Sequence, residues 1–221
     1  MEVGMVVLSQ EDAGRRLARG LALVLRETPL VLALSPSGAR VAGEIARILG
    51  APLDIIATTR LDVPGRARST FGAVADGAIV LLHDRIQTLG LPQDYVDGLI
   101  ELARAEVDRV AAAWRGGERA LPLEGRTVVL ADDGAADPVL VVGAATALRQ
   151  AGVAGLFLAT PTASAELCQA LHGLIDERIL LYEPEGPAVT QVRDPSFAHT
   201  TEFDVHALVR RSREHAVVQA P

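Results

Sequence analysis

The chain has 221 residues, is 49% hydrophobic and carries a formal charge of −7. That length suits one well-buried α/β domain, and the acidic balance argues against bulk binding to nucleic acid or anionic lipid, which need a basic surface. No apolar run approaches the roughly 18 residues of a membrane span. The opening MEVGMVVLSQEDAGRR lacks a basic segment followed by an apolar stretch, so no secretory signal is expected and a cytoplasmic location is. Cys168 is the one cysteine, which leaves no internal disulfide and fits a reducing compartment. All 21 basic residues are arginine, so lysine Schiff-base chemistry is unavailable.

Short apolar runs alternate with helix-period segments, the βαβ rhythm of a largely parallel sheet. Residues 11–26 read as a helix with Leu17, Leu21, Leu23 and Leu25 on its apolar face. A strand over 30–34, the turn SPSG and a helix over 39–49 follow. Next come a strand over 53–58, the arginine-rich segment TRLDVPGRARST and a strand over 78–82. Residues 92–114 form a long helix carrying Leu99, Leu102, Val107 and Val110. The strand 128–131, helix 139–150, strand 153–159, helix 164–174 and strand 179–181 continue the rhythm, and a last helix spans 204–215. The expected organisation is one domain over 1–215 with a disordered tail at 216–221.

The segment RTVVLADDGAADPVLVVGAATALRQAG carries the chemistry. A strand delivering Asp132 and Asp133 to its C-terminal end, just before a helix, is where open α/β sheets bind ligands. Acidic residues also end such strands for no functional reason. Asp137 and Pro138 make a good helix start, the aspartate as N-cap and the proline at the first helical position. Ser35, Pro36, Ser37 and Gly38 form a second strand-to-helix turn, with Ser37 able to cap the helix. Arg60, Arg66 and Arg68 form either a basic rim that attracts an anion or a solvated, flexible loop. The histidines His83, His172, His199, His206 and His215 show no ligand spacing, so no metal site is expected. Phe71, Tyr182, Phe197 and Phe203 are the aromatics available for stacking, with core packing the default for each.

Glu11–Arg15, LALSPSGARVAGEIARILGAPLD, Thr59-Arg60, Pro64-Gly65, Gly72-Ala73, Arg115-Gly116, Asp132-Asp133-Gly134 and Thr200-Thr201-Glu202 follow one another in a single register. In that register the chain resembles the type I phosphoribosyltransferases, in particular a bacterial group of stand-alone domains, from about Glu11 to Val209. The resemblance implies a type I phosphoribosyltransferase fold: a parallel sheet of about five strands flanked by helices, with a small hood from the chain ends. It implies a phosphoribosyl or ribose-phosphate type site in which Asp132 and Asp133 bind the ribose hydroxyls. Gly134, Ala135, Ala136, Asp137, Pro138 and Val139 stand at the phosphate loop, and Ser35 to Gly38 at the pyrophosphate loop. Arg60, Arg66 and Arg68 stand in the flexible segment. Mg²⁺ is implied only with bound phosphoribosyl pyrophosphate (PRPP), and otherwise no cofactor. A small phosphorylated sugar or nucleotide is the implied partner, and a homodimer the implied assembly.

The chain departs from the family at the phosphate loop. The family pattern there has small residues whose successive backbone N–H groups face the phosphate. Here Pro138 has no N–H, Asp137 places a negative charge where a dianion would sit, and Val139 and Leu140 replace hydroxyl-bearing residues. Like charges at about 4 Å cost roughly 1 kcal/mol per pair even when well screened. The expectation is that ordinary PRPP-dependent transfer is weakened or lost. The alternative is a degenerate, non-catalytic homologue acting as a ligand-sensing or partner-binding module.

Overall fold

The computed structural model describes residues 9–182 and 200–218. In chain order the elements are α1 (Gln10–Val24), β1 (Leu30–Ala33), α2 (Gly38–Leu49), β2 (Leu53–Ile55), β3 (Thr58–Leu61), β4 (Gly72–Ala75) and β5 (Ala78–Leu81). They continue as α3 (His83–Leu89), α4 (Gln93–Arg115), β6 (Thr127–Ala131), α5 (Pro138–Gln150), β7 (Gly155–Thr160), α6 (Ala165–Ala170), β8 (Glu177–Leu180) and α7 (Glu202–Val218). Five strands form a parallel sheet in the order β2-β1-β6-β7-β8. From β1 the chain moves to β2 on one side, and from β6 to β7 and β8 on the other. The turns after β1 and β6 therefore flank the point where strand order reverses, the crevice in which such sheets hold ligands.

Strand residues alternate between two cores because successive side chains point to opposite faces. Val31, Ala33, Val129 and Ala131 pack with α1, α2, α4 and α7, whereas Leu30, Leu32, Val128, Leu130, Leu156 and Leu158 pack with α5 and α6. On α1 the buried stripe is Ala13, Gly14, Leu17, Ala18 and Leu21, a helical repeat of three and four. Leu23 falls outside it and is 88% exposed; Leu102 of α4 is 70% exposed for the same reason. Both were expected on the buried faces.

The sheet differs from the sequence expectation where one strand becomes two. Ile56 N–H still bonds Ala33 in the parallel sheet, but the next carbonyl, that of Ala57, accepts from Asp76 N–H. The chain thus crosses at that point into a second, antiparallel sheet, β3-β4-β5, which packs on α5. Gly143 of α5 makes that packing close, since a Cβ there would lie 3.2 Å from Ala73 Cβ. Neither β4 nor α3 was anticipated. The helix expected over 164–174 stops at Ala170, with Gly173 in the left-handed region at φ 79°. The last helix runs to Val218, past the expected start of the tail.

Two motif residues build a buried ionic knot at the sheet edge. Arg115, 8% exposed, donates to Asp54 Oδ1 at 3.1 Å and to the Ile55 carbonyl at 2.8 Å, and pairs with Asp76 at 3.3 Å. Asp54 is 1% exposed and also accepts from Leu121 N–H at 2.8 Å and pairs with Arg213 of α7 at 3.0 Å. Removing one partner of such a buried pair leaves the other charge uncompensated. Arg115→Ala is expected to lower the unfolding free energy by about 3–5 kcal/mol, measured by urea titration, and Arg115→Lys, which keeps a charge beside Asp54, to lower it by less.

Candidate functional site

β6 ends at Ala131, so Asp132 and Asp133 emerge at the C-terminal edge of the central strand, beside the turn after β1. The two turns meet. Ser35 Oγ donates to Asp132 Oδ1 at 2.8 Å, and Gly38 N–H donates to Ser35 Oγ at 3.0 Å. A Cβ on Gly38 would lie 2.9 Å from Ser35 Oγ and 3.0 Å from Asp132 Cα, so only glycine admits this approach. Ser37 precedes α2 without a side-chain cap bond and contacts Ser35 Oγ at 3.3 Å.

The loop after β6 folds onto its own carboxylates. Asp132 Oδ2 accepts from Gly134 N–H at 2.8 Å and Ala136 N–H at 3.1 Å, and Asp133 Oδ1 accepts from Ala135 N–H at 3.1 Å. Asp137 caps α5, accepting from Val139 N–H at 3.1 Å, with Pro138 at the first helical position. Asp133 is 6% exposed, and among the described residues its Oδ2 has no hydrogen-bond donor. Burial of Asp132, and next the charge of Asp133, raise the Asp132 carboxyl above its ordinary range; the Ser35 hydroxyl and the Ala136 and Gly134 amides partly offset this.

The three arginines do not converge. Arg60, on β3, reaches across to Asp137 Oδ2 at 3.3 Å and pairs with Asp62 at 3.1 Å. Arg66 donates to the Leu89 carbonyl at 3.3 Å, and Arg68 sits at φ 53° with its carbonyl accepting from Arg85. Buried Ser69 ties the intervening loop, accepting from Val63 N–H and donating to Arg66 O. Arg40 does not enter the Ser35–Gly38 turn; it donates to Thr200 Oγ1 at 3.1 Å and lies 3.9 Å from Glu11. Thr201 bonds Asp204 in the first turn of α7, so the closing motif organises that helix start.

Among the remaining candidates, Phe71 is fully buried and Phe203 is 77% exposed. Tyr182 is half-buried, and Cys168 is half-buried against the α5–α6 core. His206 is half-buried, its ring seated against Gly116 where an added Cβ would overlap it. Phe197, His199 and the His215 side chain lie outside the described residues. Among the described residues no group of three His, Cys, Asp or Glu could hold a metal, and no helix is long and apolar enough to cross a membrane.

Two proteins of Mycobacterium tuberculosis strains, provisionally named phosphoribosyl transferase, are 32% identical to this chain over 202 residues. That match covers 91% of this chain and 46% of theirs, so the chain spans about half the length of these curated relatives. The crystal structure of TT1426 from Thermus thermophilus superimposes with a TM-score of 0.77 at 30% identity, over 94% of this chain and 99% of that one. The chain belongs to a type I phosphoribosyltransferase-like family. No protein-family model matches it. The family turn at Ser35–Gly38 and the aspartate pair meet at one switch point, as one ligand contacted by both would require.

The raised Asp132 carboxyl has a sign that can be checked. Its folded form holds the proton more tightly than the unfolded chain, so the associated stability is full below the ordinary value of 3.8 and is lost as pH rises through the raised value. An asparagine keeps the geometry, its oxygen accepting from Gly134 and Ala136 and its amide donating to Ser35. Asp132→Asn is therefore expected to melt above the wild type at pH 7.5 and to lose that advantage near pH 4 (roughly the unfolded carboxyl range), in paired thermal melts.

Proposed function

We propose that the crevice at Asp132 and Asp133 is a phosphoribosyl or ribose-phosphate type site in which ordinary PRPP-dependent transfer is weakened or lost. One observation carries this reading. The backbone donors that a 5′-phosphate would need, at Gly134, Ala135, Ala136 and Val139, are all given to the chain's own carboxylates. A phosphate entering there would break those bonds and face Asp137, at roughly 1 kcal/mol per like-charge pair even in water. The carboxylate pair remains as the ribosyl-binding element, with Asp133 Oδ2 as the acceptor for a sugar hydroxyl.

Phosphoribosyl transfer passes through an oxocarbenium-like sugar, so positioning and charge placement carry the rate. In this reading the carboxylates orient the ribose beneath the two turns, and a small phosphorylated sugar or nucleotide is the ligand class. The residues present suit Mg²⁺ only as an ion held by PRPP oxygens and water, because three of the four Asp132 and Asp133 oxygens already accept hydrogen bonds. A second reading, a non-catalytic ligand-sensing or partner-binding module, is favoured by the Arg60–Asp137 contact. That pair joins the antiparallel sheet to the loop, so a ligand that moved Asp137 would also release the Arg60 side chain on β3.

Asp137→Thr with Pro138→Gly removes the resident charge and restores an N–H. Isothermal titration with Mg²⁺–PRPP is expected to show tighter binding by the double variant than by wild type, with a stability loss of about 1 kcal/mol from the cap and the proline. Wild-type affinity equal to that of the variant would overturn the reading. Phosphoribosyl turnover by the variant, and its absence in the wild type, would separate the site from the non-catalytic alternative.

A further inference from the structure

The long helix α4 has two faces that both avoid charge. Val96, Ile100, Ala103, Val107, Ala111 and Trp114 repeat at three and four residues and enter the core. On the opposite side Tyr95, Gly98, Leu102, Ala105, Arg109 and Ala112 form a second stripe with the same spacing, exposed at every position. Arg109 is the one charge among those six. Leu102 is 70% exposed and Tyr95 41%, and a Cβ added to Gly98 would meet no atom within 4 Å. The acids Asp94, Glu101 and Asp108 run beside the stripe and not within it.

Phe203 extends this surface. It follows Glu202, whose carboxylate pairs with Arg109 at 3.5 Å, so the first turn of α7 stands beside the Arg109 end of the stripe. Phe203 is 77% exposed. Tyr95, Leu102 and Phe203, three of the most exposed large apolar side chains, thus belong to one side of the molecule. A grouped apolar surface of this kind marks an interaction site more often than scattered single residues do.

The stripe complements itself. When a second copy of α4 is laid on it antiparallel, with a two-fold axis crossing at Leu102, the two Leu102 side chains meet. Two helical turns to either side, Tyr95 of one copy stands beside Arg109 of the other, an aromatic ring beside a guanidinium. Phe203 flanks that Arg109 and comes up to the same tyrosine. Ala105 falls level with Gly98 of the other copy to within about 1.5 Å, one helical residue, so small meets small and the axes can approach to about 8–10 Å. Arg104 falls level with Glu101 of the other copy in the same way. A surface whose two ends match each other is what an isologous contact requires.

We propose that this face of α4, with the start of α7, joins two copies of the chain in an antiparallel, two-fold pair. Two helices of 23 residues, about 34 Å long, span the width of a standard interface of about 800 Å² per partner. The occupant is a second copy because the stripe carries both halves of its own contact, the ring at one end and the cation at the other. The surface is formed by α4 and α7, and the crevice of Asp132 and Asp133 by the turns after β1 and β6, so the pairing stands or falls independently of the ligand.

Sedimentation equilibrium at roughly 100 μM chain, a range that detects micromolar association, is expected to give a mass near twice the 23.2 kDa of one chain. Ala105→Arg and Leu102→Glu, both at exposed positions, are each expected to weaken the dimer about tenfold or more while their thermal melts stay cooperative. Leu23→Glu, at the exposed leucine of α1, is expected to leave the mass unchanged. In a Cys168→Ser background, Leu102→Cys is expected to form a disulfide-linked dimer with oxidised glutathione, because a residue on the axis meets its own copy, and Ala105→Cys is not. A monomeric wild type would overturn the proposal. So would a dimer that survives both Ala105→Arg and Leu102→Glu, or one that Leu23→Glu disperses. Cross-linking at residue 105 in place of residue 102 would overturn the antiparallel pair about Leu102.

Discussion

The carboxylate of Asp132 holds the crevice together. One oxygen takes the hydroxyl of Ser35 from the turn after β1, and the other takes two amides from the loop after β6. A nearly buried charge is costly unless its lone pairs are met by donors. The surrounding chain meets that demand by bending both turns toward one side chain. Gly38 is needed because the approach leaves no room for a Cβ, and Gly134 adopts φ 84° to bring its N–H back over Asp132. The geometry of both loops follows from satisfying one carboxyl group.

That arrangement changes what the helix start of α5 offers. A helix N-terminus attracts an anion because its first amides lack partners. In this chain the anion is Asp137, and the neighbouring amides serve Asp132 and Asp133. Arg60, reaching from the second sheet, holds the outer oxygen of the cap. The fold of a phosphoribosyltransferase-like protein is thus kept, with the amides of the loop after β6 donating to the chain's own carboxylates. Family and fold do not by themselves carry activity; the direction of individual hydrogen bonds in the site bears on it.

Much of this was legible in the sequence. Apolar runs spaced by helix-period segments gave the five parallel strands in their places, and Asp-Pro before a helical repeat marked the cap of α5. Of the second sheet only β5 was legible, as the strand expected over 78–82, and its antiparallel pairing was not. Its strands are four residues long; Thr58 read as the end of the strand begun at Leu53 and Thr59 to Leu61 as part of the arginine-rich segment, whereas the Ala57 carbonyl turns to Asp76 and starts the new sheet there. The roles of Asp54 and Arg115 were hidden for another reason. They lie 61 residues apart, and nothing local tells a buried ion pair from two surface charges. Arg60 was singled out as a cation, but its partner, 77 residues away, is set by the packing of β3 on α5.

The claim that the loop amides are internally occupied is tested most directly by amide chemical shifts. In a ¹⁵N-labelled sample, the N–H signals of Gly134, Ala135, Ala136 and Val139 should stay in place as Mg²⁺–PRPP is added to the wild type. They should move in Asp137→Thr with Pro138→Gly. A common, saturable shift of those four signals in the wild type would contradict the account, because it would mean that the loop opens to the phosphate and that Asp132, Asp133 and Asp137 give up their donors.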